Sequence, residues 1–70
     1  MFQIMIVLSY LNGQPIDIVY GNLLFTNEAQ CYDYLWAPPF LTDLNNLSTE
    51  TAAQVGYTVI GRSDCVPVGR

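Results

Sequence analysis

The sequence predicts one α+β domain over residues 1–70: a three-stranded, mostly antiparallel sheet built in the chain order ββαβ, with one main helix on one face. Three observations carry this. Two runs rich in β-branched and aromatic residues flank an Asn-Gly turn near the N-terminus. An amphipathic stretch ending at Pro38-Pro39 follows. A third β-rich run lies close to the C-terminus.

Phe2 to Leu11 contains no breaker and reads as a strand. Alternation puts Phe2, Ile4, Ile6, Leu8 and Tyr10 on one side and Gln3, Met5, Val7, Ser9 and Leu11 on the other. Both sides are substantially apolar. Asn12-Gly13-Gln14-Pro15 is a turn, and Asn-Gly favours the positive φ angles of a type I′ hairpin. The second strand runs from Ile16 to Tyr20 and is ended by Gly21-Asn22; Ile16, Ile18 and Tyr20 face one way, Asp17 and Val19 the other.

Thr26 or Asn27 caps the helix, and Asn27 with Gln30 resembles a capping box. Cys31, Tyr32, Leu35 and Trp36 form its apolar stripe, opposite Asn27, Gln30 and Asp33. Pro38-Pro39 stops it. From Phe40 to Gln54 two readings stay open. Phe40, Leu41, Leu44 and Leu47 have helical spacing, whereas Asn45-Asn46 and Ser48-Thr49 are poor interior helix formers. A second short helix would be capped by Ser48, run to Gln54 or Val55 and be closed by Gly56. Tyr57 to Ile60 is the last strand, followed by a turn or bulge at Gly61–Asp64 and an extended Cys65–Val68.

Composition excludes several function classes. The chain has no lysine or histidine, two arginines (Arg62 and Arg70) and six acids, for a net charge of −4. Displacing phosphate counterions takes several basic residues, so nucleic acid is not an expected partner. General acid–base catalysis needs paired acids or an acid beside a histidine, and Asp17, Glu28, Asp33, Asp43, Glu50 and Asp64 show no pairing motif. The glycines form no phosphate-cradling pattern, and no acid-rich loop suits calcium. The expectation is a non-enzyme with no cofactor, no metal and no small-molecule substrate.

Cys31 and Cys65 are the only thiols. Paired, they would stabilise the fold by roughly 3–4 kcal/mol through loop closure. Unpaired, they would be two buried, reduced small hydrophobes. Zinc would need more than two sulfurs without a CxxC spacing or an imidazole. The apolar run from Met1 to Leu11 lacks a basic leading region and a small-residue cleavage site, and is far shorter than the ~20 residues that span a bilayer. The reading is neither a signal peptide nor a transmembrane segment, and no membrane partner.

The decisive consideration is area. One helix covers one face of a three-stranded sheet. Met5, Val7, Leu11 and Val19 then stay exposed on the second face, unless residues 38–55 wrap round to meet them. Tyr34, which falls off the Cys31/Leu35 stripe, and the Trp36–Phe40 segment are candidate aromatic anchors, with Trp36 and Phe40 the residues in view. The expected interface set is therefore Met5, Val7, Leu11, Val19, Tyr34, Trp36 and Phe40, with protein (self or a larger assembly) as partner.

The apolar first strand, a Phe-Thr-Asn-Glu-Ala helix start at Phe25–Ala29, a helix with one cysteine, and the closing Gly-Tyr-Thr-Val-Ile and Asp-Cys-Val-Pro-Val runs resemble small bacteriophage proteins that have no shared assigned activity. The resemblance covers most of the chain except residues 38–55 and carries over no functional residue. It implies a viral origin, in a virion or a host cytoplasm. The expected function is a protein-interaction module, in particular a capsid-decorating or cementing subunit of a phage virion. The alternative is an acidic phage-encoded inhibitor that blocks a host protein.

Overall fold

The computed structural model describes residues 1–69. Its elements run β1 (Phe2–Tyr10), β2 (Pro15–Phe25), α1 (Glu28–Leu35), α2 (Pro38–Val55) and β3 (Val59–Pro67). The strands form one antiparallel sheet in the order β2-β1-β3, so β1 is central and both other strands are edges. This is the predicted α+β class with a three-stranded antiparallel sheet.

The hairpin differs from the expected type. Gly13 N–H donates to the Tyr10 carbonyl at 2.9 Å and Tyr10 N–H to the Gln14 carbonyl at 3.0 Å, with Gly13 at φ 90°. Three residues, Leu11 to Gly13, form the loop, with glycine in the left-handed position that closes such a turn. A further irregularity places Leu8 opposite Asp17 but Ser9 opposite Pro15. Together these set β2's parity. Val19 lies opposite Ile6 on the side toward the helices, and Ile18 and Tyr20 lie opposite Val7 and Met5 on the other side. A one-residue change of register exchanges the two faces of a strand, which is why the face assigned to Val19 from sequence is reversed.

Strand β2 also continues past Gly21-Asn22. Between Gln3/Leu24 and Met5/Tyr20 the ladder is interrupted, and three β2 residues sit against Ile4 alone. Gln3 Nε2 donates to the Gly21 carbonyl at 3.1 Å, giving a partner to a group near the interruption.

Helix α1 begins as expected: Asn27 Oδ1 accepts from Gln30 N–H at 2.9 Å. Gln30 does not reach back to the cap residue; its Oε1 accepts from the Thr26 hydroxyl at 3.0 Å. The helix closes with tighter turns in which Trp36 and Ala37 N–H donate to the Asp33 and Tyr34 carbonyls.

The 40–54 stretch resolves as one helix rather than an irregular segment or a short late helix. Pro38-Pro39 both stop α1 and occupy the first positions of α2, where a missing N–H costs nothing. Ser48 and Thr49 hydroxyls donate to the Leu44 and Asn45 carbonyls four residues back, so these polar residues are accommodated inside the helix. Gly56, at φ 78°, ends it with its N–H on the Ala52 carbonyl. At 18 residues α2, not the eight-residue α1, is the main helix.

Both helices lie on the same side. Ile4, Ile6, Leu8, Val59 and Cys65 from the sheet are buried against Cys31, Leu35 and Phe40, with Leu44, Leu47, Ala52 and Val55 packed around them. The helix α2 crosses β3 at Gly61, where a Cβ would stand 2.5 Å from Ser48 Oγ and 3.0 Å from Leu44 Cδ1, so any larger residue there would have to displace those side chains. Cys31 and Cys65 form a disulfide, with Cα atoms 6.1 Å apart, that ties α1 to β3. Of the two readings the sequence left open for these cysteines, the paired one is present.

The molecule is less condensed than its size allows. Its accessible surface is 4885 Å², against ~4,400 Å² for a folded chain of this mass. Its radius of gyration is 12.6 Å, against ~11 Å for 70 residues.

Candidate protein interface

Both helices pack on the other side of the sheet, and only the Tyr32 side chain of α1 reaches round the β3 edge to the second side. The register arranges that side in four cross-strand rows. The middle two are Tyr20–Met5–Asp64 and Ile18–Val7–Arg62, and the outer two are Leu24–Gln3–Val66 and Pro15–Ser9–Ile60. Tyr20 and Leu24 are each 53% exposed and Ile18 49%, with Met5, Val7 and Val66 half-buried among their neighbours. The face is therefore a mostly apolar surface with its charges confined to β3. Met5, Val7, Arg62, Ser63 and Asp64 line a shallow open cleft of about 350 Å³ on it.

The charged pair on this face is held from one side only. Tyr32, on the exposed flank of α1, donates its hydroxyl to Asp64 Oδ1 at 2.7 Å, and the same oxygen accepts from Cys65 N–H at 2.8 Å. These bonds hold the Asp64 carboxyl below the usual aspartate range, the Tyr32 hydroxyl contributing most and the Cys65 N–H next. Tyr32 is pushed the other way, first because Asp64 holds its proton, then by partial desolvation and the nearby carboxylate charges. Asp64 is thus kept ionised at the edge of the apolar face.

Of the residues singled out from sequence, the fold brings Met5 and Val7 together at the centre of this face. Leu11 is exposed but sits in the hairpin loop, beyond the sheet. Trp36, 78% exposed, projects from the end of α1. Three others belong elsewhere. Val19 packs on the core from the covered side. Phe40 is buried in the core, because the first turn of α2 drives it inward. Tyr34 is half-buried between Phe25 and Phe40, with ring centroids at 5.6 and 5.8 Å, so its off-stripe angle meets the start of α2 rather than solvent.

Sequence reasoning missed Ile18, Tyr20 and the Arg62/Asp64 pair as members of the open face. The alternation of Ile18 and Tyr20 was visible. What it lacked was the hairpin geometry that fixes which face they take.

Other surfaces offer less. Tyr10 and Tyr57 meet edge to face at 6.0 Å and, with Leu11, Asn12 and Thr58, border an open depression of about 420 Å³ that contains no acid, base or thiol. A smaller groove of about 280 Å³ lies between the irregular part of β2 and the start of α2. Among the described residues no three His, Cys, Asp or Glu side chains converge in a metal-holding arrangement, and no helix is long and apolar enough to cross a membrane.

Comparison with known proteins brings no relative: no family model matches the chain, no curated protein matches its sequence, and no solved structure matches its fold.

Proposed function

We propose that this chain is a non-enzymatic protein-interaction module that works by burying the open side of its sheet against other protein. The observation that carries the reading is the composition of that side. Tyr20, Ile18, Met5 and Val7 form a contiguous apolar surface at the centre of a sheet whose two helices both pack on the opposite side. Burying such surface is worth roughly 25 cal/mol per Å², a driving force that a small domain with a thin core does not obtain internally.

The specific version is a small structural subunit, such as a capsid-decorating or cementing protein of a phage virion. Low charge, a disulfide that persists outside a cell and the resemblance to small phage proteins support it. An inhibitor complementing a basic groove would gather its acids on one surface. Here the six acids are spread over β2, α1, α2 and β3, which favours the structural reading.

The test is a lysine scan of the open face. Val7→Lys and Tyr20→Lys should keep the far-UV circular dichroism and the disulfide. The unmodified chain should either associate or, as a monomer, bind the apolar-surface dye ANS, and each lysine should suppress that behaviour. A monomer that takes up no dye and is unchanged by lysine at both positions contradicts the proposal.

A further inference from the structure

Resting on the reading of this face as a docking surface, we infer that its occupant is a second copy of the chain, stacked face to face about a twofold axis running across the strands between the Met5 and Val7 rows. An isologous contact requires a surface complementary to itself: what residue i meets as residue j, residue j must meet as residue i. The cross-strand register satisfies that condition about this one axis.

Turning the sheet over about that axis lays the Tyr20–Met5–Asp64 row on the Ile18–Val7–Arg62 row of the second copy, and the reverse. Asp64 then faces Arg62, Met5 faces Val7, and Tyr20 faces Ile18. The outer rows exchange in the same way, and Val66 meets Ile60. Charge meets opposite charge and apolar meets apolar, each twice by symmetry. Arg62 is the only basic side chain among the described residues, and it stands two positions from Asp64 on the same strand and face. Both bonds to Asp64 use Oδ1, so Oδ2 is engaged by neither.

The area is also of the right order. Three strands ~4.8 Å apart, with nine residues rising ~3.3 Å each along β1, give a flat footprint of roughly 400 Å² per copy. Side-chain relief makes the accessible surface removed larger than this flat footprint, placing the contact between it and the ~800 Å² per partner of an ordinary stable interface. Stacked sheets keep their strands within ~30° of each other at ~10 Å separation, which leaves the two central rows in contact.

The experiment is a charge exchange on the full chain, read by light scattering after size exclusion over a dilution series in about 0.15 M salt, where the long-range effect of each variant's altered net charge is screened. The unmodified chain should be a dimer. Arg62→Asp alone sets acid against acid at both symmetric contacts, and Asp64→Arg alone sets base against base. Each should weaken the dimer by at least about 100-fold. Arg62→Asp keeps both Asp64 hydrogen bonds, so its loss of dimer cannot come from the Tyr32 contact. A 1:1 mixture of the two variants should recover a dimer, because one chain then carries two acids and the other two bases in matching places. Weak dimerisation of the mixture, no better than the single variants, overturns the proposal. So does an unmodified chain that stays monomeric: if that monomer still binds ANS through the open face, only self-pairing falls, and if it does not, the docking reading falls with it.

Discussion

The Tyr32 hydroxyl donates to Asp64 Oδ1 one residue away, on each side, from the disulfide that joins Cys31 to Cys65. Two adjacent links, one covalent and one a charge-assisted hydrogen bond, therefore fasten α1 to the edge strand β3. The first keeps the helix over the core. The second fixes a carboxylate at the border of the opposite, open face.

This contact gives the fold a defined pH dependence. Asp64 is held below its ordinary value, so its stabilising effect is complete above the usual aspartate range and is lost as pH falls through the depressed folded-state value. Tyr32 is held above its ordinary value, so its effect is complete below the usual tyrosine range and is lost as pH rises through the raised folded-state value. In Tyr32→Phe the alkaline loss should disappear, and the Asp64 titration should move part of the way up, since the Cys65 N–H remains. Carboxyl-resolved NMR titration checks this; an unmoved Asp64 contradicts it.

Removal of the disulfide should be costly. Cys31 is fully buried and the bond closes a loop of sequence separation 34. The double variant Cys31→Ala/Cys65→Ala should lose roughly 3–4 kcal/mol in a urea titration, a large fraction of what a domain of this size possesses. A loss below about 1 kcal/mol would show that α1 is held by packing alone.

The crossing of α2 over β3 depends on Gly61. Gly61→Ala places a methyl group against Ser48 Oγ and Leu44 Cδ1, and should destabilise by about 1–3 kcal/mol. Adding Ser48→Ala should restore part of that loss. Simple addition of the two single effects, measured by thermal unfolding, would mean that the helix does not approach the strand there.

The two aromatic residues on either side of Pro38-Pro39 should behave oppositely. Phe40→Ala empties a buried core position and should cost about 3–5 kcal/mol. Trp36→Ala removes an exposed ring and should change stability by no more than about 0.5 kcal/mol. Chemical denaturation distinguishes them directly.

Much of the fold was legible because local signals and tertiary packing agree. The alternation in β1, the Asn27 cap and the Gly56 stop each have one physical meaning at their position. The failures lie where a local signal has two. Pro38-Pro39 reads as a helix stop, yet proline is equally suited to a first turn, and α2 uses it so. Ser48 reads as a cap, but inside a helix its hydroxyl returns to the Leu44 carbonyl. Gly21-Asn22 reads as a strand end, though an interrupted ladder can continue beyond it to Phe25. The face of Val19 depends on the hairpin loop, whose three-residue form was not separable from a two-residue one by the Asn-Gly pair alone. That single error also concealed β2's share of the open face, because it turned Ile18 and Tyr20 inward.

The most direct measurement of whether the chain leaves one sheet face uncovered is a set of methyl NOEs within a single molecule, in a sample dilute enough to be monomeric. Leu44, Leu47 and Val55 of α2 should show contacts to the Ile4–Ile6–Leu8 side of the sheet and none to Met5 or Val7. Contacts from those α2 methyls to Met5 and Val7 would mean that the helix wraps the second face and that no partner is needed to cover it.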